Sequence, residues 1–440
     1  MTQHYPQVFR LRQKYDCPRV EDIPAAVHNK LAQLDLGRKV RPGQSVAVTG
    51  GSRGVANVAV VLRAIVDHLK GLGAQPFVVP AMGSHGGATA QGQQEVLHSY
   101  GITEEWLGCP IRAGMETVVV CRAAEGFPVH FDRHAFEANH VVVCNRVKPH
   151  TRFVGDVESG LMKMLLIGLG KCAGATVYHR AIQDYSFGQI VRSVAAEVIK
   201  RCRILAGLAI VENARDETAL VEAVAPEDFE RREKQLLVLA KQWMAKLPFK
   251  HVDVLLIDQI GKDISGTCLD TNVVGRKFDD HKAVEGEYPK VKAIVLRGLT
   301  EASHGNAVGL GIAELCKSQL LRDTDLHATR LNAITAGHIP AAMLPLDYET
   351  DRELLDAALS TIGLVEPQDA RLLWIKSTLA LEEIECSAAY LDEARQRPDL
   401  EILTPLRDLR LDAAGNLPAE CTGGSSTMGV NIGRFNSREP

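Results

Sequence analysis

The sequence lacks the clustered cysteines that hold metal clusters or disulfide scaffolds together. Its ten cysteines are scattered singly along 440 residues, and no two of them form a Cys-x-x-Cys pair. This pattern argues against a zinc ribbon and an iron–sulfur cluster, which need grouped thiolates. It favours reduced thiols, as in a cytoplasmic protein, and we expect most of these cysteines to be small core residues.

An excess of charge of one sign and long apolar runs are also lacking. The formal net charge is −4 and no basic stripe stands out, so nucleic acid is not an expected partner. No apolar run approaches the ~18 residues that a membrane-spanning helix needs. The N-terminal residues have no apolar centre of the signal-peptide kind. We therefore expect no membrane partner and a cytoplasmic location.

What the sequence does have is the composition and pattern of a large α/β protein. Hydrophobic residues make up 46% and charged residues 24% of the chain, which is typical of globular domains. We predict two α/β domains with a cleft between them. Residues 1–248 would form the cofactor-binding domain, and residues 249–440 would form a domain that closes over the substrate.

Short apolar runs predict strands, and the stretches of helical periodicity between them predict helices. Strands are predicted at 45–49, 76–79, 141–144, 205–211, 252–257, 291–296 and 372–375. Helices are predicted at 23–36, 55–72, 89–98, 187–201, 226–247, 307–317 and 352–359. The strand 141–144 is followed at once by polar residues, which is where α/β proteins place ligands.

The segment that follows this strand, residues 148–179, is the densest in chemically useful side chains. It contains Lys148, His150, Lys163 and His179. Lys163 has apolar neighbours, so its stem either covers apolar surface while its ammonium reaches water, or burial lowers its pKa and makes it nucleophilic. The residues alone leave both readings open.

Three of the fifteen histidines lie in places that suggest a function. His85 follows a predicted strand among glycines, His150 follows another strand, and His179 precedes a helix-like segment. Together they could converge on one cleft as general bases or metal ligands. A three-histidine zinc site with Glu158 or Asp156 as its base is an alternative, although zinc hydrolases usually show tighter ligand spacing.

The turn at residues 49–54, Thr-Gly-Gly-Ser-Arg-Gly, is similar to the nucleotide turn of short-chain dehydrogenases. Glycines there let the backbone approach a phosphate at a helix N-terminus. The next strand ends without an acid to hold a ribose, however, and the one Tyr-x-x-x-Lys sequence, at 288–292, contains a proline and comes far too late. Arg53 in this turn is well placed for a carboxylate or phosphate.

Taken together, Arg53, His85, the sequence Lys148-Pro149-His150, Lys163 and His179 resemble the nickel-dependent lactate racemase family, the LarA-like superfamily. Their order matches, and so does most of their spacing. The resemblance covers roughly residues 10–210 well and the C-terminal half more loosely. It implies a nickel-pincer nucleotide, pyridinium-3,5-bisthiocarboxylic acid mononucleotide nickel, which binds nickel through two sulfurs and a ring carbon.

The resemblance also implies a role for each matching residue. Lys163 would form the thioamide link to the cofactor, and His179 would be the fourth nickel ligand. His85 and His150 would be the two acid/base groups, and Arg53 would bind near the substrate carboxylate or the cofactor. The other expected cofactor contacts are Gly51, Ser52 and Gly160.

The implied activity is racemisation or epimerisation of a 2-hydroxyacid by proton-coupled hydride transfer through a 2-oxoacid. The hydride needs an acceptor that only a cofactor can supply. The expected partners are this substrate and the enzymes that make the cofactor, and the protein could be a homo-oligomer. Alternatives are an NAD(P)-dependent dehydrogenase of the short-chain type and a non-catalytic 2-hydroxyacid-binding protein.

The sequence departs from lactate racemase at several positions. The spacing from His150 to Lys163 is a few residues longer, Gly50 stands where the family usually has aspartate, and the motif at 270–277 differs. These departures favour a different or larger 2-hydroxyacid than lactate. The residues expected to contact such a substrate are Arg276, Lys262 and His304.

Overall fold

A computed structural model describes residues 5–52 and 54–421, which fold into two compact α/β units. One unit is Cys17–Met244, and the other combines residues 5–16 with residues 245–421. The α/β class predicted from the sequence is confirmed. Arg53, which we expected in the active site, lies outside the described residues.

The first strand of the chain belongs to the C-terminal unit. This strand, β1 (Val8–Gln13), pairs antiparallel with residues 383–387 on one side and 400–402 on the other. The domain boundaries predicted at 1–248 and 249–440 therefore differ from the observed units, which divide after residue 16 and again after Met244. No strand was predicted at residues 8–13, and local pattern cannot show which sheet a strand joins, because strand pairing is non-local.

The unit Cys17–Met244 is built on a five-stranded sheet. Its strands are β2 (Ser45–Gly50), β3 (Gln75–Pro80), β6 (His140–Arg146), β7 (Ile204–Glu212) and β8 (Thr218–Val224), and a separate hairpin is formed by β4 (Thr117–Arg122) and β5 (Pro128–Asp132). The strand order is β3-β2-β6-β7-β8. The first four strands are parallel and β8 is antiparallel.

Helices cover both faces of this sheet. They are α1 (Ile23–Ala32), α2 (Val58–Gly71), α3 (Ala90–Ser99), α4 (Glu104–Leu107), α5 (Arg133–Glu137), α6 (Leu161–Lys163), α7 (Lys171–Ala181), α8 (Phe187–Arg201) and α9 (Phe229–Trp243), and a π-helical segment, Met164–Gly168, follows α6. Successive strand residues point to opposite faces, so Val46 packs in the core with α1 and α2, while Ala47 packs in the core with α8 and α9. Thr89 caps α3 as predicted, because its hydroxyl accepts the Gly92 N–H.

The C-terminal unit contains an eight-stranded sheet. Besides β1, its strands are β9 (His251–Ile257), β10 (Lys290–Leu296), β11 (Leu315–Lys317), β12 (Leu346–Tyr348), β13 (Leu372–Ile375), β14 (Glu383–Ser387) and β15 (Leu400–Ile402). Their order is β12-β11-β10-β9-β13-β14-β1-β15. The helices are α10 (Thr271–Val274), α11 (Ser318–Arg322), α12 (Leu326–Thr335), α13 (Asp351–Ser360) and α14 (Leu391–Gln396).

The helix predicted at residues 307–317 is wrong. The structure has a 3-10 turn at Leu310–Ile312 followed by β11, in which Leu315 pairs with Val295 of β10. A Cβ added to Gly311 would lie only 1.9 Å from the Pro340 carbonyl oxygen. This close backbone contact and the strand pairing override the local helical periodicity.

Short 3-10 turns and cysteines without disulfide bonds complete the description. The turns are Leu36–Arg38, Gly86–Ala88, Pro226–Asp228, Glu301–Ser303, Leu310–Ile312, Ile339–Ala342, Pro367–Asp369 and Ala388–Tyr390. None of the ten cysteines, all of which lie within the described residues, forms a disulfide bond. Within residues 5–52 and 54–421 no single helix is long and apolar enough to cross a membrane, and one pair of helical segments bent by 107°, Leu161–Gly168 with Lys171–Ala181, passes the same test on length and composition.

Candidate active site

Three neighbouring strand ends carry most of the predicted site residues of the N-terminal unit. Strands β3, β2 and β6 are adjacent and parallel, so their carboxyl ends meet at one edge of the sheet. The turn after β2 contains Ser52, the loop after β3 contains His85, and the segment after β6 contains His150. This edge is the usual place for a ligand in an open α/β sheet.

Ser52 and His85 are in direct contact. The Ser52 Oγ atom lies 2.5 Å from His85 Nδ1, and the Tyr100 hydroxyl donates to the Ser52 carbonyl oxygen at 3.2 Å. A serine hydroxyl both donates and accepts, so this contact allows either neutral tautomer of the His85 ring. His85 is exposed and can therefore exchange its proton with a bound molecule.

The ring of His150 is held in one tautomer. Its Nδ1 atom accepts the main-chain N–H groups of Arg152 and Phe153, both at 3.0 Å. Two N–H groups can only donate, so Nδ1 carries no proton here and the neutral ring keeps its proton on Nε2. The main-chain N–H of His150 donates to Glu158 Oε2 at 2.8 Å, which anchors the start of this turn.

Phe153 lies at the centre of three predicted site residues. Its ring stacks on His150 at 4.2 Å between centroids and on Phe187 at 4.0 Å. The His179 ring centroid is 6.3 Å away, and the Lys163 Nζ atom is 5.6 Å from the Phe153 centroid. His179 lies within α7 rather than before a helix, as we had expected. Phe153 itself was missed, although an aromatic residue three positions after His150 was a usable signal.

The glycines of the strand-end loops bring these loops against the helices that follow residue 160. A Cβ added to Gly51 would lie 3.6 Å from Met164, the residue after Lys163. A Cβ added to Gly83 would lie 3.6 Å from the Ala175 side chain, on the helix that carries the predicted nickel ligand. The end of β2, the loop after β3 and the segment 161–181 therefore form one continuous packed region.

Gly160 is constrained by a buried carboxyl group. A Cβ added there would lie 2.4 Å from the Glu233 Cδ atom, and the Asn145 amide donates to the Gly160 carbonyl oxygen at 2.8 Å. These contacts account for glycine at this position and place it beside the start of α6. Its predicted contact with a cofactor stays a prediction.

The carboxyl group of Glu233 is itself unusual. The side chain is 1% exposed, and its Oε2 atom accepts the Met162 N–H at 2.8 Å. Its Oε1 atom has no hydrogen-bond partner among the residues that the structure describes. Burial raises the pKa of Glu233 to about 7, against the opposing effect of the N–H groups of Met162 and Leu161.

Replacing Glu233 with glutamine should change how stability depends on pH. The folded state raises the pKa from its ordinary value of 4.5 to about 7, so the native protein binds this proton more tightly than the unfolded chain. The stabilisation is complete below pH 4.5 and is lost as the pH rises through 7. As the pH rises from below 4.5 to above 7, the unfolding free energy of the unmodified protein should fall by about 3 kcal/mol relative to that of Glu233→Gln.

Urea unfolding of both proteins at several values between pH 4.5 and 8 measures this difference. Glu230→Gln on the same helix is the control, because Lys234 and Arg192 lower the pKa of Glu230 and its replacement should show the opposite trend. A difference between Glu233→Gln and the unmodified protein that stays constant with pH would show that Glu233 ionises normally.

The acids that we considered as zinc-site bases are engaged in ion pairs. Arg192 and Lys234 lower the pKa of Asp156 to about 2. Glu158 is 1% exposed, and its Oε1 atom accepts a hydrogen bond from Lys241 Nζ at 2.7 Å. Among the described residues no group of three or more histidine, cysteine or acidic side chains could hold a metal ion. The prediction that His179 alone would bind a nickel ion held by a cofactor is not tested by this finding.

Arg276, which we expected to contact substrate, is buried in the C-terminal unit. It is 1% exposed, and its Nη2 atom donates to Glu314 Oε1 and to the Val291 carbonyl oxygen, both at 3.0 Å. A substrate carboxylate would have to displace Glu314 from this buried guanidinium. The arrangement gives Arg276 a role in holding the segment before β10.

Lys262 and His304 lie in adjoining loops. The Lys262 main-chain N–H donates to Ser303 Oγ at 2.8 Å, and its Nζ atom donates to the Gly266 carbonyl oxygen at 2.8 Å. His304 is exposed and has a left-handed backbone with φ of 45°. The contact with Ser303 places Lys262 next to the residue that precedes His304.

The Tyr-x-x-x-Lys sequence lies in the C-terminal unit, whereas the glycine-rich turn after β2 lies in the other. Lys292 pairs with Asp253 at 2.7 Å and donates to the Ile362 carbonyl oxygen at 2.7 Å. An active dehydrogenase lysine has to face its tyrosine and the cofactor ribose. These contacts give Lys292 a structural role instead.

Comparison with known proteins agrees with the earlier resemblance. Residues 4–187 match the family model of the lactate racemase N-terminal domain, whereas no curated protein matches the sequence. The fold is similar to the structure of the lactate racemase apoprotein from Thermoanaerobacterium thermosaccharolyticum, with a TM-score of 0.53 and 14% identity, covering 84% of this chain and 94% of that chain. The matched segment contains the loops and helices that carry His85, Lys163 and His179, and both comparisons support a likeness to the LarA-like lactate racemase superfamily.

Proposed function

We propose that the protein is a racemase or epimerase of a 2-hydroxyacid and that it uses a nickel-pincer nucleotide. The observation that carries the proposal is the arrangement of His150, Lys163 and His179 around the single ring of Phe153. One amine and two imidazoles lie around one aromatic ring at the carboxyl ends of parallel strands. This arrangement suits a covalently held cofactor beside a proton-transfer group.

Two residues would hold the cofactor. Lys163 ends α6 between the buried residues Met162 and Met164, and its amine, which lies over the Phe153 ring, is suited to a thioamide link. His179 on α7 would supply an imidazole nitrogen to nickel. When bound, the nickel-pincer nucleotide would supply the acceptor for the C2 hydride of the substrate.

The protein's own part in the reaction is to move the hydroxyl proton. His85 is suited to this role because its contact with Ser52 allows either tautomer. His150 carries its proton on Nε2 while the Arg152 and Phe153 N–H groups occupy Nδ1. Transfer at Nε2 requires Nδ1 to hold a proton, so the turn at 150–153 has to release Nδ1 when His150 acts.

Racemisation needs two acid/base groups, one for each enantiomer, and the two histidines would supply them. Racemisation runs in both directions, so a group that takes the proton from one enantiomer must return it when the reaction reverses. The other enantiomer presents its hydroxyl on the opposite face, and the second histidine serves it. Lys262 and His304 remain predicted substrate contacts, and the substrate would be a 2-hydroxyacid different from or larger than lactate.

The test is expression together with the enzymes that make the cofactor. We expect an increase in intact mass, nickel in proportion to that adduct, and interconversion of 2-hydroxyacid stereoisomers without added nicotinamide. In heavy water the C2 hydrogen should be retained, because a hydride does not exchange with solvent. The same protein expressed without those enzymes is the control and should be inactive.

Three outcomes would reject the proposal. Turnover that needs added NAD(P) would favour a dehydrogenase. Binding of a 2-hydroxyacid by fully loaded protein without any turnover would favour a binding protein. Deuterium incorporated at C2 would show that the reaction proceeds by direct proton abstraction and not by hydride transfer.

A further inference from the structure

Lys171 is a buried cation that joins three separate segments. It is the first residue of α7 and is 0% exposed. Its Nζ atom donates to the Pro80 carbonyl oxygen at the end of β3, and it lies 3.2 Å from Gln93 Oε1 on α3 and 3.0 Å from Asp132 Oδ2 at the end of β5. A buried lysine is held only where such acceptors surround it.

Gln93 links Lys171 to the loop after β3. Its side chain is 0% exposed, and its Nε2 atom donates to the carbonyl oxygens of Gly83 at 2.9 Å and His85 at 3.3 Å. An amide has one acceptor end and one donor end. Because the ammonium of Lys171 requires the acceptor end, it turns the donor end toward the loop that carries His85.

Two glycines let this loop lie directly on the first turn of α3. A Cβ added to Gly86 would lie 2.5 Å from the Gly92 carbonyl carbon, and one added to Gly92 would lie 2.0 Å from the Gly86 oxygen. Gly86 also has a positive φ of 65°, which glycine adopts at little cost. The loop is thus held on α3 by backbone contact and by the Gln93 amide.

We infer that Lys171 and Gln93 are positioning residues that set the place of His85, an inference that rests on the function proposed above. Lys171 lies on the helix that also carries His179, two turns further on. The buried chain from Lys171 through Gln93 therefore ties the His85 loop to the helix of the expected nickel ligand. The enclosed ammonium also leaves Lys163, rather than Lys171, as the lysine for cofactor attachment.

The first test replaces Gln93 with methionine, which keeps the volume and removes both amide functions. Backbone amides of residues 83–88 should exchange hydrogen about tenfold faster, while those of β2 and α8 stay unchanged. In the loaded enzyme kcat should fall by about tenfold to a hundredfold with a smaller change in KM, because His85 is displaced from its working position. Nickel content and adduct mass should remain.

Gln91→Met is the matched control. Gln91 lies on the same helix, is exposed and donates to Glu95 at 2.8 Å. This variant should leave loop exchange and kcat unchanged. Unchanged exchange and kcat in Gln93→Met as well, or a faster loop with full kcat, would overturn the positioning role.

The second test removes the cation without leaving a charge buried alone. In Lys171→Met combined with Asp132→Asn, the asparagine keeps an oxygen that can accept the Ala135 N–H, which now donates to Asp132 Oδ1 at 2.8 Å. We expect the same loop exchange and the same loss of kcat as in Gln93→Met. A folded double variant with an unaltered loop would overturn the part assigned to Lys171.

A readout in the apoprotein separates this inference from the proposed function. Carbon-13-labelled histidine gives a ring signal for His85, identified by its loss in His85→Gln. This signal should shift in Gln93→Met and stay in place in Gln91→Met, because the contact with Ser52 is altered in the first variant alone. Absence of racemase turnover in the unmodified loaded protein would reject the proposed function, whereas an unshifted His85 signal would reject the positioning role.

Discussion

Replacing Lys163 with arginine should reduce nickel-dependent turnover to background. Arginine keeps a positive charge near the Phe153 ring, where the Lys163 Nζ atom now lies 5.6 Å from the centroid. A guanidinium cannot form the thioamide link, so the cofactor would lose its covalent hold and nickel its three cofactor donor atoms. The intact mass should lack the adduct, nickel should be absent, and the melting temperature of the apoprotein should be little changed.

The control for this variant is Lys200→Arg, since Lys200 is an exposed residue of α8. It should keep adduct, nickel and turnover. Peptide mapping of the loaded, unmodified protein should place the adduct on Lys163. An adduct found on Lys148, or a Lys163→Arg protein that keeps its adduct mass, would contradict this assignment.

Replacing His179 and His150 separately with alanine should produce two different kinds of loss. His179→Ala removes the expected nickel ligand, so nickel and turnover should fall together while the adduct on Lys163 remains. His150→Ala removes an acid/base group, so nickel and adduct should remain while kcat falls about 10²–10⁴-fold. Metal analysis, intact mass and chiral chromatography on the same preparations measure the three quantities.

The forward and reverse rates of the His150→Ala variant provide a further check. Loss of one base should slow conversion in both directions equally, because the substrate alone sets the equilibrium constant, which is one for enantiomers. His85→Ala is the companion variant and should behave in the same way. A His150 variant with full turnover would falsify the two-base assignment, and a His179 variant that keeps nickel and rate would place the metal elsewhere.

The elements of the N-terminal unit could be predicted because their signals are local. Helix α8 at Phe187–Arg201 matches the predicted residues 187–201, and Thr89 caps α3 as expected. A helix face and a capping hydroxyl depend on residues a few positions apart. Strand β8, which the sequence analysis missed, returns antiparallel beside β7 and is stabilised by that pairing.

The residues of the candidate site were only partly predictable. Their types and order identified His85, Lys163 and His179, but their neighbours depend on how distant segments pack. Phe153 is buried by contact with Phe187, 34 positions away in the sequence, and Gly160 is constrained by Glu233. Arg276 resembled a substrate contact because its charge is visible in the sequence, whereas its burial against Glu314 is not.

The sequence by itself determined the α/β class, most strands and helices of the first unit, and the resemblance of the spaced histidines and lysine to the LarA-like family. Only the tertiary structure decided that β1 joins the C-terminal sheet, that residues 315–317 form a strand, and that Lys171 reaches the His85 loop through Gln93. The physical reason is the same in each case. Periodicity and capping act over a few residues, whereas strand pairing, burial of charge and the direction of an amide depend on partners brought together only by folding.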